Sequence, residues 1–312
     1  MSFAYYIHTN EPSWLDNNPE TPWYIDRIFN GNYQGNSYPN SNVNVAILDS
    51  GIDSSHPELN GQVTWSYDAT GGNNVTDATG HGTQVAGVIG AKENGQGIVG
   101  VNPNANLYSI KVLSGPDNVG DWDWLSNGIY AAVRGPDGIV GTADDANVIS
   151  MSLESNGEMP PPSVHDAITY AYNHNVALVA AAGNSGDNNP STNEITWPAA
   201  YPEVIAVGAT YANDSITSFS DSAPYIELVA PGYNIPSTYL NGGYVIGSGT
   251  SLAAPQVAGI ISLLISQYGH LPIGTFNDMN TLTIRGLLHS SAFDLGPTGY
   301  DNAYGYGLVQ FN

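Results

Sequence analysis

The run GTSLAAPQVAGIISLLISQY (249–268) does most to limit the folds open to this chain. It is uncharged and almost wholly apolar, so a helix here has no face to offer water and must be a buried central helix. Strand-like apolar runs at 43–48, 106–112, 147–151, 176–181 and 203–208 alternate with helical stretches near 82–92, 123–134, 164–174 and 250–268. Runs such as VNVAIL (43–48) lack the in-out alternation of a half-exposed sheet and read as strands buried on both faces. The alternation predicts an α/β fold, a mostly parallel central sheet with helices on both faces. A helix at 280–290 and the tail GYGLVQF complete the same domain, and 312 residues fit one such domain. Internal repeats and low-complexity linkers are absent. No stretch approaches eighteen uninterrupted apolar residues, so no transmembrane helix is expected.

Three polar residues stand where these elements change over. VNVAIL delivers Asp49 to the carboxyl end of its strand, where open α/β sheets place ligand sites, and Ser50-Gly51 allows a sharp turn. HGTQVAGVIGA reads as a helix packed closely on the sheet, with His81 at its mouth. Ser251 lies in the first turn of the buried helix, where free N–H groups and the helix dipole favour developing negative charge; Pro255 is early enough to be tolerated. Taken alone, an Asp after a strand is usually a turn residue and a His at a helix start can simply cap it. GTSLAAP is more specific, because Gly-Thr-Ser at the mouth of a buried helix has little structural necessity.

Together the motifs supply an orienting carboxylate, a base and a nucleophile in the order Asp, His, Ser. From about residue 20 to its C-terminus the chain resembles the subtilisin-like serine proteases. The resemblance implies a serine endopeptidase. His81 would take the Ser251 proton as the hydroxyl attacks a peptide carbonyl, and Asp49 would hold the imidazole tautomer. Water would then resolve the acyl-enzyme, with no cofactor in the chemistry. NVALVAAAGNSG (175–186) matches the segment whose asparagine donates to the oxyanion, which assigns that role to Asn184 beside the Ser251 N–H. ISMSLES (149–155) resembles the strand that pairs with substrate and walls the specificity pocket: Ser152 and Leu153 match, while Glu154 stands where glycine is usual. A carboxylate aimed into the pocket would favour basic P1 residues. One aimed outward leaves the broad apolar preference of the family. Val119 and Gly120 with Trp122 would form the opposite wall, and Ala182, Gly183 and Asn184 the pocket base.

The family pattern also implies structural calcium. Glu58 in SSHPEL and Asn94 in KENGQGIVG match a tight calcium site, with Gln96 and Ile98 able to add carbonyls. GPDGIVGTADDAN (135–147) resembles a shortened form of the calcium insertion of archaeal subtilisins, with Asp137, Asp144 and Asp145 as ligands; a solvated acidic loop is the plain alternative. The chain departs from HGTHVAG and GTSMAxPHVAG at Gln84, Gln256 and Leu252, none of which is in the triad. The two glutamines keep hydrogen bonding without a group that charges in acid. Leu252 removes an oxidisable thioether beside Ser251.

Three other activities share parts of the pattern. A pseudoprotease would show a damaged triad, a peptide ligase a site that excludes water, and a sedolisin-type acid peptidase a Glu base. Intact motifs, serine as nucleophile and His81 in HGT argue against each in turn.

The net charge of −23 arises from 28 acidic residues against only five basic ones, Arg27, Lys92, Lys111, Arg134 and Arg285. Without a basic stripe a nucleic-acid partner is disfavoured. Protonating the carboxylates of such a chain leaves little charge to repel, so an acid-stable protein is expected. There is no cysteine, so the compartment cannot be read from bridges. Met1 is followed by SFAYYIHTN, which has neither a basic segment nor an apolar core, so no signal peptide is expected. As the family is generally made with a signal and a propeptide, the chain reads as a processed or truncated form of a secreted, extracellular enzyme. Residues 1–18 read as an N-terminal extension or propeptide remnant and 19–312 as the catalytic domain. Expected partners are protein or peptide substrates and a propeptide inhibitor and chaperone, with no membrane and a monomeric state.

Overall fold

The computed structural model describes the backbone of residues 6–8, and residues 20–39, 42–155 and 158–312. In chain order its first half comprises β1 (Tyr6–His8), α1 (Trp23–Ile28), β2 (Asn44–Asp49), β3 (Val63–Asp68), α2 (His81–Gly90), β4 (Asn106–Lys111), β5 (Leu113–Ser114), β6 (Val119–Gly120) and α3 (Trp122–Arg134). The second half adds β7 (Val148–Met151), α4 (Pro162–Asn173), β8 (Ala177–Ala181), β9 (Val204–Thr210), β10 (Ile226–Pro231), β11 (Ile235–Tyr239), β12 (Gly243–Gly247), α5 (Thr250–Tyr268) and α6 (Ile284–Ser291).

A seven-stranded sheet in the order β10-β9-β8-β7-β2-β4-β3 forms the centre, and every pairing in it is parallel. The α/β expectation is met. Along β2 the side chains divide by parity. Val45 and Ile47 join Val85, Val88 and the α5 residues Val257 and Ile261 in one apolar cluster. Ala46 and Leu48 join Ile129 and Val133 of α3 and Ile168 of α4 in the other. Helices therefore cover both faces, α2 and α5 on one and α3 and α4 on the other.

The α5 helix is buried from Thr250 to Ile265. It is long and apolar enough to cross a membrane (mean hydropathy 1.2), but 89% of the stretch is buried inside the protein, as in a core helix. Each large aliphatic side chain so buried contributes about 1.5–3 kcal/mol. The approach to α2 and the neighbouring loops is close. A Cβ at Gly259 would stand 2.6 Å from Val101 Cβ.

Sheet order explains where a site can form. From β2 the chain crosses to the edge at β3 and comes back inward through β4, then passes to the other side of β2 and builds outward through β7, β8, β9 and β10. The reversal opens a crevice beyond the carboxyl ends of β2 and β7, the place where open α/β sheets bind ligands. A second, antiparallel sheet runs β1-β12-β11, so residues 6–8 of the expected N-terminal extension lie along the edge of the catalytic domain. The rest of residues 1–18 falls outside the described residues.

Candidate active site

Asp49 ends β2, and His81 is the first residue of α2. His81 Nδ1 lies 2.8 and 3.0 Å from the two Asp49 carboxylate oxygens, and Asp49 is 1% exposed. The Ser50 N–H donates to Asp49 Oδ1 at 2.7 Å and fixes the carboxylate from behind. Burial alone would depress the His81 pKa; attraction and hydrogen bonding from Asp49, with a contribution from Asp77, outweigh it, and the pKa is raised. The imidazole is thus held with one nitrogen on a carboxylate and is made a stronger base than a free histidine.

Asp77 was not singled out from the sequence, yet it builds the turn that presents His81. Its Oδ1 accepts from Ser50 Oγ (2.9 Å) and the Gly80 N–H (2.9 Å), and its Oδ2 from the Thr83 N–H (3.0 Å) and Oγ1 (2.6 Å). It satisfies first-turn donors of α2 that would otherwise lack partners. Gly80, at φ 90°, makes the turn; a side chain there would run into the Tyr239 ring. The sequence signal was a carboxylate four residues before a helix-opening histidine.

Ser251 is the second residue of α5 and is 7% exposed. Pro255 has no N–H to give the carbonyl four residues earlier, which is that of Ser251. Ser152, just past β7, fills the gap: its Oγ donates to the Ser251 carbonyl at 2.8 Å. In the opposite direction the Ser251 hydroxyl lies 3.5 Å from the Ser152 carbonyl. The proline thus lets the wall strand be fastened to the helix turn that carries the serine.

Asn184 follows β8. Its Oδ1 accepts from the Thr250 N–H (2.8 Å) and Thr250 Oγ1 (3.2 Å), which turns its NH2 away from α5. Glu154 Oε2 accepts from the Asn184 N–H at 3.0 Å and from Nδ2 at 3.4 Å. Its carboxylate is therefore turned toward Asn184. Burial pushes the Glu154 pKa up despite those two bonds. Behind the loop, Asp221 accepts from the Ser185 N–H at 2.6 Å and Thr196 Oγ1 at 2.9 Å. Burial, with repulsion from Glu154 and Glu194, raises its pKa to about 7.

One cleft of about 950 Å³ is lined by both His81 and Ser251. Val119, Gly120, Trp122, Ser152, Leu153 and Glu154 line it too, as the sequence suggested. Ala182, Gly183 and Asn184, expected as the pocket base, do not line it. Ala182 is fully buried, and the Gly183 N–H donates to Thr250 Oγ1, so they support the floor from beneath.

The family model described as "Subtilase family" matches residues 40–307. The chain belongs to the subtilase family. It is 42% identical over 230 residues to the major intracellular serine protease of Bacillus subtilis (strain 168), covering 72% of this chain and 69% of that protein. Identity is 38% over 271 residues to the minor extracellular protease Epr of the same organism, covering 86% of this chain and 38% of that protein. With subtilisin E, again from that organism, it is 37% over 288 residues, covering 92% of this chain and 69% of that protein. This subtilase is a subtilisin-type serine endopeptidase.

The two calcium candidates of this subtilase differ. Asn94 Nδ2 donates to Glu58 Oε2 (2.9 Å), Tyr244 donates to Glu58 Oε1 (2.7 Å), and the Gln96 N–H occupies Asn94 Oδ1 (3.0 Å). The first set, in which Ile98 is buried and Gln96 exposed, is thus closed by protein donors and turns an amide rather than an oxygen toward Glu58. In the second, Thr142 Oγ1 lies within hydrogen-bonding reach of Asp137, Asp144 and Asp145 together, at 3.5, 2.5 and 3.3 Å. The carboxylates supply the hard oxygens that calcium takes, but here they accept from this hydroxyl and from the N–H groups of Asp137, Ile139, Gly141 and Thr142. Among the described residues no group of three or more His, Asp or Glu side chains is spaced as a ready metal cage.

Gln256 keeps its expected hydrogen bonding, donating to the carbonyls of Pro231 (2.6 Å) and Leu252 (2.9 Å). Gln84 does not. It is buried with no partner for Nε2 among the described residues.

Proposed function

We propose that Asp49, His81 and Ser251 act as the catalytic triad of this subtilase and that Asn184 Nδ2 and the Ser251 N–H receive the oxyanion. The observation that carries this reading is the buried, doubly contacted Asp49–His81 pair opening on the cleft that Ser251 also lines. His81 removes the Ser251 proton as Oγ bonds to the substrate carbonyl carbon. The carbonyl oxygen gains negative charge, which the Asn184 amide and the Ser251 N–H would stabilise. His81 then returns the proton to the leaving amine, and water repeats the sequence on the ester. Thr250 supports catalysis by orienting the Asn184 amide, and Ser152 by anchoring the turn of Ser251.

Hydrolysis of a chromogenic peptide by wild type and Ser251→Ala across pH 4–10 tests this. Activity lost in the variant supports the reading; equal activity in both sinks it.

Calcium at the loop 135–147 belongs to the same proposal and is supported by its oxygen donors. The relatives named above are bacterial, so the archaeal likeness rests on that loop alone. A site at Glu58 requires Asn94 to turn its amide oxygen inward. Calcium at a hundredfold excess over its Kd stabilises a one-site protein by about 2.7 kcal/mol, which a melting curve with and without EDTA would detect. The scarcity of cations supports acid stability and an extracellular setting. One relative is named intracellular and another extracellular, so activity in culture supernatant against lysate is the deciding measurement. Action as a monomer on protein substrates, away from membranes and controlled by a propeptide, completes the proposal.

A further inference from the structure

We infer that Glu154 makes this protease selective for a cationic P1 side chain, lysine or arginine. The inference rests on the protease reading above and names the substrate class of that site. Glu154 lines the cleft beside His81 and Ser251, and its Oε2 is tied to the backbone and side chain of Asn184. The tether fixes the carboxylate next to the group assigned to the reacting carbonyl, where the P1 side chain of a bound peptide must pass. Its second oxygen, Oε1, is buried and has no hydrogen-bond partner among the described residues. A buried carboxylate oxygen without a donor is costly, and an ammonium or guanidinium group supplies the missing one while Oε2 keeps its own. The rest of the cleft agrees in sign. Asp117, Asp121 and Glu158 also line it, and among the described residues no Lys or Arg does, so its field draws cations.

The same specificity accounts for the composition. A protease that cuts after basic residues endangers itself at each one it exposes. This chain has five, against 20 tyrosines and 6 phenylalanines. Lys111 and Arg285 are 6% and 1% exposed, and Arg27 is paired with Asp214 at 2.7 Å. Arg134, at the end of α3, is exposed, and Lys92 is partly so.

The test compares kcat/KM for peptides that differ only in P1, as Lys, Arg, Gln or Phe, in wild type and Glu154→Gln. Wild type is expected to prefer Lys and Arg over Phe, and Glu154→Gln to lower the Lys/Phe and Arg/Phe ratios of kcat/KM by about 10- to 100-fold, the range for a hydrogen bond to a charged group. Prolonged self-digestion should yield termini after Arg134 and Lys92. Preference for Phe with a Lys/Phe ratio unmoved by Glu154→Gln overturns the specificity and leaves the protease reading standing. Cleavage of no peptide by the folded protein overturns both.

Discussion

Replacing Ser152 by alanine isolates one consequence of Pro255. The substitution removes the one hydroxyl among the described residues that donates to the buried Ser251 carbonyl, and the proline denies that carbonyl its helical partner. An unsatisfied buried acceptor costs about 1–3 kcal/mol. With an unfolding entropy of about 2.1 cal/mol/K per residue, a chain of 312 residues has roughly 0.65 kcal/mol/K, so the expected fall in Tm is about 1.5–4.5 °C. Pro255→Ala restores the helical N–H. In that background Ser152→Ala should cost less than about 0.5 kcal/mol, giving a coupling of about 0.5–3 kcal/mol in a double-mutant cycle. The cycle is measured by urea unfolding in a Ser251→Ala background, which prevents self-digestion. Additivity within about 0.5 kcal/mol would show that the Ser152 bond is not a replacement for the missing helical one, and the reasoning would fail.

Asn184→Ala should lower kcat by about 10²–10³ with little change in KM, since its donor acts on charge present only in the transition state; an equal rise in KM with kcat intact would contradict this. The pH profile of kcat/KM should rise through a pKa above the ordinary histidine value, because Asp49 favours the charged ring. Asp49→Asn should cost about 10,000-fold in kcat, and an unchanged profile in that variant would refute the assignment. Acid stability has a sign that can be worked out. Asp221, raised from 3.8 to about 7 by burial first, holds its proton more tightly folded than unfolded, so its contribution to stability grows as pH falls through that window. Glu154, also raised by burial, acts in the same direction. Asp53 and Asp68, in which burial is outweighed by several hydrogen bonds, lose stability at lower pH. Circular dichroism is expected to show a folded protein at pH 4, and unfolding near there would count against the account.

What the sequence disclosed followed from burial. Strands β2, β4, β7, β8 and β9 are apolar on both faces and stand out as runs, as do α2 and α5. The strands it concealed break that pattern. β3 is an edge strand with half-exposed residues, and β10 carries Glu227 as its second residue, at a break in its register. That carboxylate is tolerated at 0% exposure because Arg285 (3.2 Å) and His289 (2.8 Å), both from α6, converge on it, a contact no local window reveals. In the site, Asp49, His81, Asn184 and Ser251 were legible because each ends or begins a buried element. Asp77, Thr250 and Asp221 act through hydrogen bonds to residues far along the chain or to backbone, and only the fold brings them together. Pro255 was readable as tolerable; its role in freeing a carbonyl for Ser152 was not.

The central claim is that Ser251 is a nucleophile activated by His81. Its most direct test is covalent labelling with diisopropyl fluorophosphate, followed by intact mass and peptide mapping of wild type, His81→Ala and Asp49→Asn. The account predicts one adduct per wild-type chain, on Ser251, formed far more slowly in both variants. No adduct on the folded wild-type protein, or labelling of Ser251 at the same rate without His81, would contradict it.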